Sequence, residues 1–76
     1  MKDLVIKIVQ SLVDNPEQVE INEIKGRSTD VFELKVAKSD LGKVIGKQGR
    51  TAQAIRAILN AASAKENKRV MLEIME

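Results

Sequence analysis

At 76 residues with neither cysteine nor histidine, the chain has room for one small hydrophobic core and lacks the side chains of disulfide scaffolds, zinc sites and thiol or imidazole catalysis. Phe32 is its only aromatic residue, so a surface that stacks successive bases on several exposed rings is excluded too. A hydrophobic share of 43% beside 32% charged residues and a net charge of +2 describe a globular domain, not a disordered or membrane-spanning segment. The longest apolar runs are three residues, against roughly 20 for a membrane span, and no signal-peptide core follows Met1. A cytoplasmic protein without membrane partners is expected.

From Asp3 to Asp14, apolar residues fall at Leu4, Val5, Ile8, Val9, Leu12 and Val13, the rhythm of one helix face. Asn15-Pro16 is predicted to end this helix, because proline disfavours helical geometry in the residue before it and donates no hydrogen bond. Residues 18–25 start as a strand with Val19 and Ile21 alternating, then break phase at Ile24, which predicts a bulge or an early end. A polar turn over residues 26–30 leads into a second strand, residues 31–37, with Phe32, Leu34 and Val36 on one face. These strands can pair as a hairpin without having to be sheet neighbours. Ser39 or Asp40 is placed to cap a short helix covering Leu41, Val44 and Ile45. A longer helix follows over residues 50–64, with Ala52, Ile55, Leu59 and Ala62 inward, and Val70, Leu72 and Ile74 alternate in a third strand.

The charge is unevenly spread. Residues 1–34 hold four basic and seven acidic side chains, whereas residues 35–69 hold nine basic and two acidic ones. A basic half beside an acidic half is the outline of a polyanion-binding surface, though a solvated lysine-rich face has the same composition. Within the basic half lies Gly42-Lys43-Val44-Ile45-Gly46-Lys47-Gln48-Gly49-Arg50. Glycines around a two-residue spacer let the chain leave one helix and enter the next with its backbone exposed. Free N–H groups and the positive end of the second helix then face outward beside Lys47 and Arg50, a setting that suits a phosphodiester. A Walker loop does not fit, since Gly42 and Gly46 enclose three residues and Lys47 precedes Gln48, and a dinucleotide fingerprint fails because a helix precedes Gly46. An isolated GxxG is more often simple punctuation of a helical corner.

The segment Val44 to Gly49 followed by helical Ile55 resembles the signature of KH domains, modules that bind RNA or single-stranded DNA with a GxxG loop clamping the backbone of about four nucleotides. The order α-β-β-α-α-β resembles the type II arrangement, and the run LGKVIGKQGRTAQAIR with the overall length is similar to the KhpA-type family of small bacterial single-KH proteins. The resemblance implies an α+β, type II KH fold over residues 1–76: a three-stranded mixed sheet with helices packed on one face, in which residues 1–30 extend a 31–76 core. It implies that Gly46, Lys47, Gln48 and Gly49 grip single-stranded RNA, with single-stranded DNA as a competitor. Val44 and Ile45 would stand at the groove, and the 31–37 strand and the first turns of the second helix would form its floor. Lys43, Arg50 and Arg56 join them as phosphate ligands by position, giving a salt slope of roughly −2 to −3 for three or four phosphates and an affinity near micromolar. Two positions depart from the common pattern: Ala52 stands where a larger aliphatic residue is frequent, and Gln48 where glycine is.

The resemblance also implies an RNA chaperone role linked to cell-envelope growth and cell shape, weak self-association, and a KhpB-type RNA-binding partner. The rival class is a protein-interaction adaptor that dimerises through the small-residue face Ala54, Ala57, Ile58 and Ala61 of the long helix. An enzyme is disfavoured: the acidic residues are scattered, no catalytic residues or metal ligands are assigned, and no cofactor motif is present.

Overall fold

The computed structural model describes all residues from Met1 to Glu76. Helix α1 (Lys2–Leu12) is followed by strands β1 (Glu20–Ile24) and β2 (Thr29–Lys35), helices α2 (Leu41–Ile45) and α3 (Arg50–Ser63), and strand β3 (Arg69–Ile74). Short 3-10 turns at Pro16–Gln18, Lys38–Asp40, Lys47–Gly49 and Ala64–Glu66 connect them. The sheet order is β1-β2-β3, with β1 antiparallel and β3 parallel to the central β2. The hairpin alternative is therefore the one realised. No helix is long and apolar enough to cross a membrane.

One layer of helices covers one face of this mixed sheet. Val5 and Val9 from α1, Val44 from α2, and Ile55 and Leu59 from α3 meet Phe32, Leu34, Val36, Val70 and Leu72 in a core of ten buried residues. Phe32 and Leu34 are fully buried because the period-2 pattern of β2 turns them both toward the helices.

Two local expectations are corrected and one open choice is decided. Helix α1 stops at Leu12 rather than Asp14: Val13 is extended (φ −105°, ψ 160°), and the next two N–H groups are taken by a carboxylate described below. Of the two alternatives for strand β1, the bulge is absent and the end at Ile24 is realised. The register of β1 with β2 is continuous from Glu20↔Lys35 to Ile24↔Val31, and Ile24 is the last strand residue, pointing to the open face with 49% exposure. In α3 the inward stripe is Ala52, Ile55, Leu59 and Ser63, not Ala62, which is exposed. Ser63 can be buried because its hydroxyl donates to the carbonyl oxygen of Asn60 or Lys68, at 3.2 and 3.1 Å.

Candidate nucleic-acid interface

The glycine segment forms the corner between α2 and α3. Gly46 ends α2 with φ 77° and ψ 170°, a region essentially confined to glycine, and its N–H closes on the Gly42 carbonyl at 2.9 Å. Space demands glycine there as well: a Cβ would collide with the Thr51 side chain and come within 2.8 Å of its backbone nitrogen. Gln48 and Gly49 both adopt left-handed geometry (φ 58° and 74°), and Gly49 is the N-cap of α3. No side chain caps that helix, and no acidic residue lies in its first turn. The Gly49 and Arg50 N–H groups turn back onto the Gly46 and Lys47 carbonyls, so the start of this 14-residue helix meets an anion with its dipole and with the cations beside it rather than with all of its first N–H groups.

The cations around this corner fall into three groups. Lys47 and Arg50 are exposed, and neither joins any of the ion pairs Lys43–Asp14, Lys43–Asp40 or Lys68–Asp30. Lys43, one helical turn before Gly46, donates to Asp14 at 2.6 Å and lies 3.6 Å from Asp40. The Asp14 carboxylate beside it holds its pKa above the ordinary lysine value. Arg56 lies away from the corner on α3, donating through Nε and Nη2 to the carbonyl oxygen of Leu72 at 3.3 and 3.1 Å. The two apolar residues expected at the groove divide similarly, for Val44 is fully buried in the core and Ile45 is half-buried.

Arg56 reaches Leu72 and Asn60 reaches Val70, so four residues forward on α3 correspond to two residues back on β3. The helix and strand run antiparallel, which sets the start of α3 and the glycine corner toward the Ile74 end of β3. Along this strand runs an open cleft of about 510 Å³ lined by Arg56 and residues 70–75. No residue of the corner lines it; α3 links the two. The 31–37 strand does not supply the cleft expected of it, because β2 is central and its inner side chains are covered.

Two determinants escaped the sequence pattern. Asp40 occupies the N-cap position of α2 without making a side-chain cap bond. Its fully buried carboxylate instead accepts the Asp14 N–H at Oδ1 (3.1 Å) and the Asn15 N–H and Nδ2 at Oδ2 (3.0 and 3.1 Å). Burial alone would raise its pKa, but these donors outweigh burial and hold the carboxyl below the usual aspartate value. Asn60 is the other: its Oδ1 accepts the Val70 N–H at 3.0 Å and its Nδ2 donates to the Val70 carbonyl at 3.2 Å. Asn is a poor helix former, and its place inside a helical stretch was the available hint of such a duty.

Two helices joined by a GxxG corner and laid on a mixed sheet in the order α-β-β-α-α-β define a KH-domain protein of the type II arrangement. The family model for the KhpA/KhpB KH domain matches residues 2–74, and the chain belongs to that family. It is 59% identical over 75 residues to a Caldanaerobacter subterraneus subsp. tengcongensis protein named RNA-binding protein KhpA, covering 99% of this chain and 100% of the relative. Proteins of the same name from Clostridium perfringens and Chlamydia trachomatis are 56% and 50% identical over 75 and 76 residues, covering 99% and 100% of this chain and 100% and 97% of their own. Among solved structures, a mutant of Aquifex aeolicus Era bound to GDP and aluminium fluoride superposes with a TM-score of 0.70 at 15% identity, over 95% of this chain and 28% of that one. That likeness concerns the fold alone.

Proposed function

We propose that residues 1–76 act as one KH domain that binds single-stranded RNA, seating the phosphodiester backbone on Gly46–Gly49 and the first turn of α3 while bases lie toward the β3 cleft. The observation that carries this reading is a helix start with no side-chain cap and no acidic residue in its first turn, with exposed Lys47 and Arg50 beside it and no carboxylate paired to either. The names of the relatives support RNA as the ligand. Arg56 lines the cleft and offers its remaining donors there. With Lys43 already paired, two free cations give a salt slope of about −1.4 on a single strand, shallower than four phosphate contacts would give.

Family resemblance extends the proposal to an RNA chaperone that works with a KhpB-type partner in cell-envelope and cell-shape control. A second reading, an adaptor that self-associates through α3, is favoured by one observation: Ile58 is 48% exposed among the exposed Ala54, Ala57 and Ala61. Titration of a short unstructured RNA at two salt concentrations tests the first reading against a Lys47→Asp, Gln48→Asp variant that keeps both glycines. Loss of at least about tenfold in affinity is expected, since two cation-to-anion or neutral-to-anion changes act directly on the phosphate path. Equal binding by both folded proteins would refute the clamp, and light scattering showing a dimer at the same concentrations would then favour the adaptor.

A further inference from the structure

Resting on the RNA-binding reading above, we infer that Asp14 is a built-in competitor for RNA phosphate at Lys43, an intramolecular anion that limits how many cations the loop face offers. The corner carries three cations, Lys43, Lys47 and Arg50, and only Lys43 is engaged by carboxylates. Its ammonium is turned back to Asp14 and Asp40 at the start of α2, but Gly46 follows Lys43 by only three residues, about 4.5 Å of helical rise, so the flexible four-carbon stem can carry the ammonium to a backbone on the glycine corner once Asp14 releases it.

The competitor is held in position by the fold. The N–H groups of Asp14 and Asn15 are both fixed by the buried Asp40 carboxylate, which stands at the start of the helix that bears Lys43. The Asp14 side chain is therefore anchored at its backbone beside Lys43 rather than wandering on a loop. Both Asp40 oxygens already accept N–H donors, and at 3.6 Å Lys43 is a distant neighbour of Asp40. Asp14 is the close one.

The pair is also open to exchange. Asp14 is 75% exposed and Lys43 44% exposed as side chains, so the ion pair is screened by water and salt and is cheap to break. A phosphate oxygen offers the same ammonium the same kind of charged acceptor. Contact of Lys43 with RNA then replaces one anion by another, and its gain is reduced by the Asp14 interaction it gives up.

Asp14→Asn removes the competing charge and retains the backbone N–H that Asp40 holds. With octauridylate as the probe, this variant is expected to bind ~2- to 5-fold more tightly than the unmodified protein, the scale of one exposed ion pair, with a salt slope steeper by about 0.7. Asp14→Glu, which keeps the charge, should behave like the unmodified protein. Lys43→Gln alone should change binding by less than about twofold, because its charge is already engaged, and should abolish the gain when combined with Asp14→Asn, the signature of direct coupling. An unchanged affinity and slope in Asp14→Asn would overturn the inference. So would a gain that persists in the double variant, which would come from the general field of the protein. If the unmodified protein binds and Lys47→Asp, Gln48→Asp does not, while Asp14→Asn matches the unmodified protein, only this inference fails; if the unmodified protein shows no loop-dependent binding, the RNA reading fails with it.

Discussion

At Gly46 two separate requirements meet, a backbone conformation that L-residues avoid and a Cβ position already filled by Thr51. Gly49 has only the first, since nothing lies within 4 Å of its would-be Cβ. The two glycines of the motif should therefore respond differently to alanine. Gly49→Ala is expected to cost ~1–2 kcal/mol for a left-handed L-residue, and Gly46→Ala ~3 kcal/mol or more once the collision with Thr51 is added to the strain; urea unfolding of the two variants measures the gap. Gln48 sits in the same left-handed region without being glycine, which gives a physical reason for the glycine frequent there in related loops. Gln48→Gly should stabilise the fold by ~0.5 kcal/mol, strain relief exceeding the added chain entropy. The glycine corner and the exposure of Lys47 were legible because their demands are local. The pairing of Lys43 was not, as its partner Asp14 lies 29 residues away in sequence and no short-range pattern encodes it.

Among the elements, β3 shows how an exposed sheet edge is managed. Arg69 N–H bonds to Ser28 and Met75 N–H to Leu34, so the odd-numbered residues face β2 and the even-numbered ones turn their backbone groups outward. Asn60 occupies both groups of Val70, and Arg56 the carbonyl of Leu72. One asparagine thereby stands in for a neighbouring strand at the end of β3 farther from the glycine corner. Removing it by Asn60→Ala should cost ~1–3 kcal/mol for the groups left without partners and expose an edge prone to pairing with another chain. A lower urea midpoint together with scattering that rises with protein concentration is the expected result; an unchanged midpoint would mean that water replaces the amide without loss. The elements themselves were readable from apolar periodicity, as were the hairpin option and the inward stripe of α3 as far as Leu59. What periodicity left open at Ile24 and placed at Ala62 instead of Ser63 are positions where the next layer decides: Ile24 has no helix above it, and Ser63 is buried because two carbonyls receive its hydroxyl.

Across the whole molecule, the division into an acidic and a basic half, so plain in the sequence, is partly cancelled by folding. Asp14 and Asp30 of the acidic half close on Lys43 and Lys68 of the basic half, leaving Lys47 and Arg50 as the unpaired cations at the glycine corner. These cross-links also predict how stability depends on pH. The hydrogen bond from Lys68 holds the Asp30 carboxyl below its ordinary value, and Asp40, despite its burial, is held low by the donors of Asp14 and Asn15. For both groups the unfolded chain, titrating near ~3.9, binds more protons than the folded chain in the acid range, so stability rises with pH there. Their contribution is complete above the unfolded value and is lost as pH falls through the folded values. Lys43, raised by Asp14, has the opposite sign: its contribution is complete below the unfolded lysine value near ~10.4 and fades as pH rises through its folded one. Solvent screening of that exposed pair makes the alkaline effect the weaker of the two. Urea unfolding followed from pH 7 down to 2 should show a flat midpoint above about pH 5 and a decline below about pH 4. Asp30→Asn and Asp40→Asn should each lower the midpoint at neutral pH and flatten the acid decline. Of the two, Asp40→Asn should lose more, because a buried amide presents one acceptor oxygen where the two carboxylate oxygens accept from three N–H donors; a full acid decline retained in that variant would show that Asp40 does not carry it.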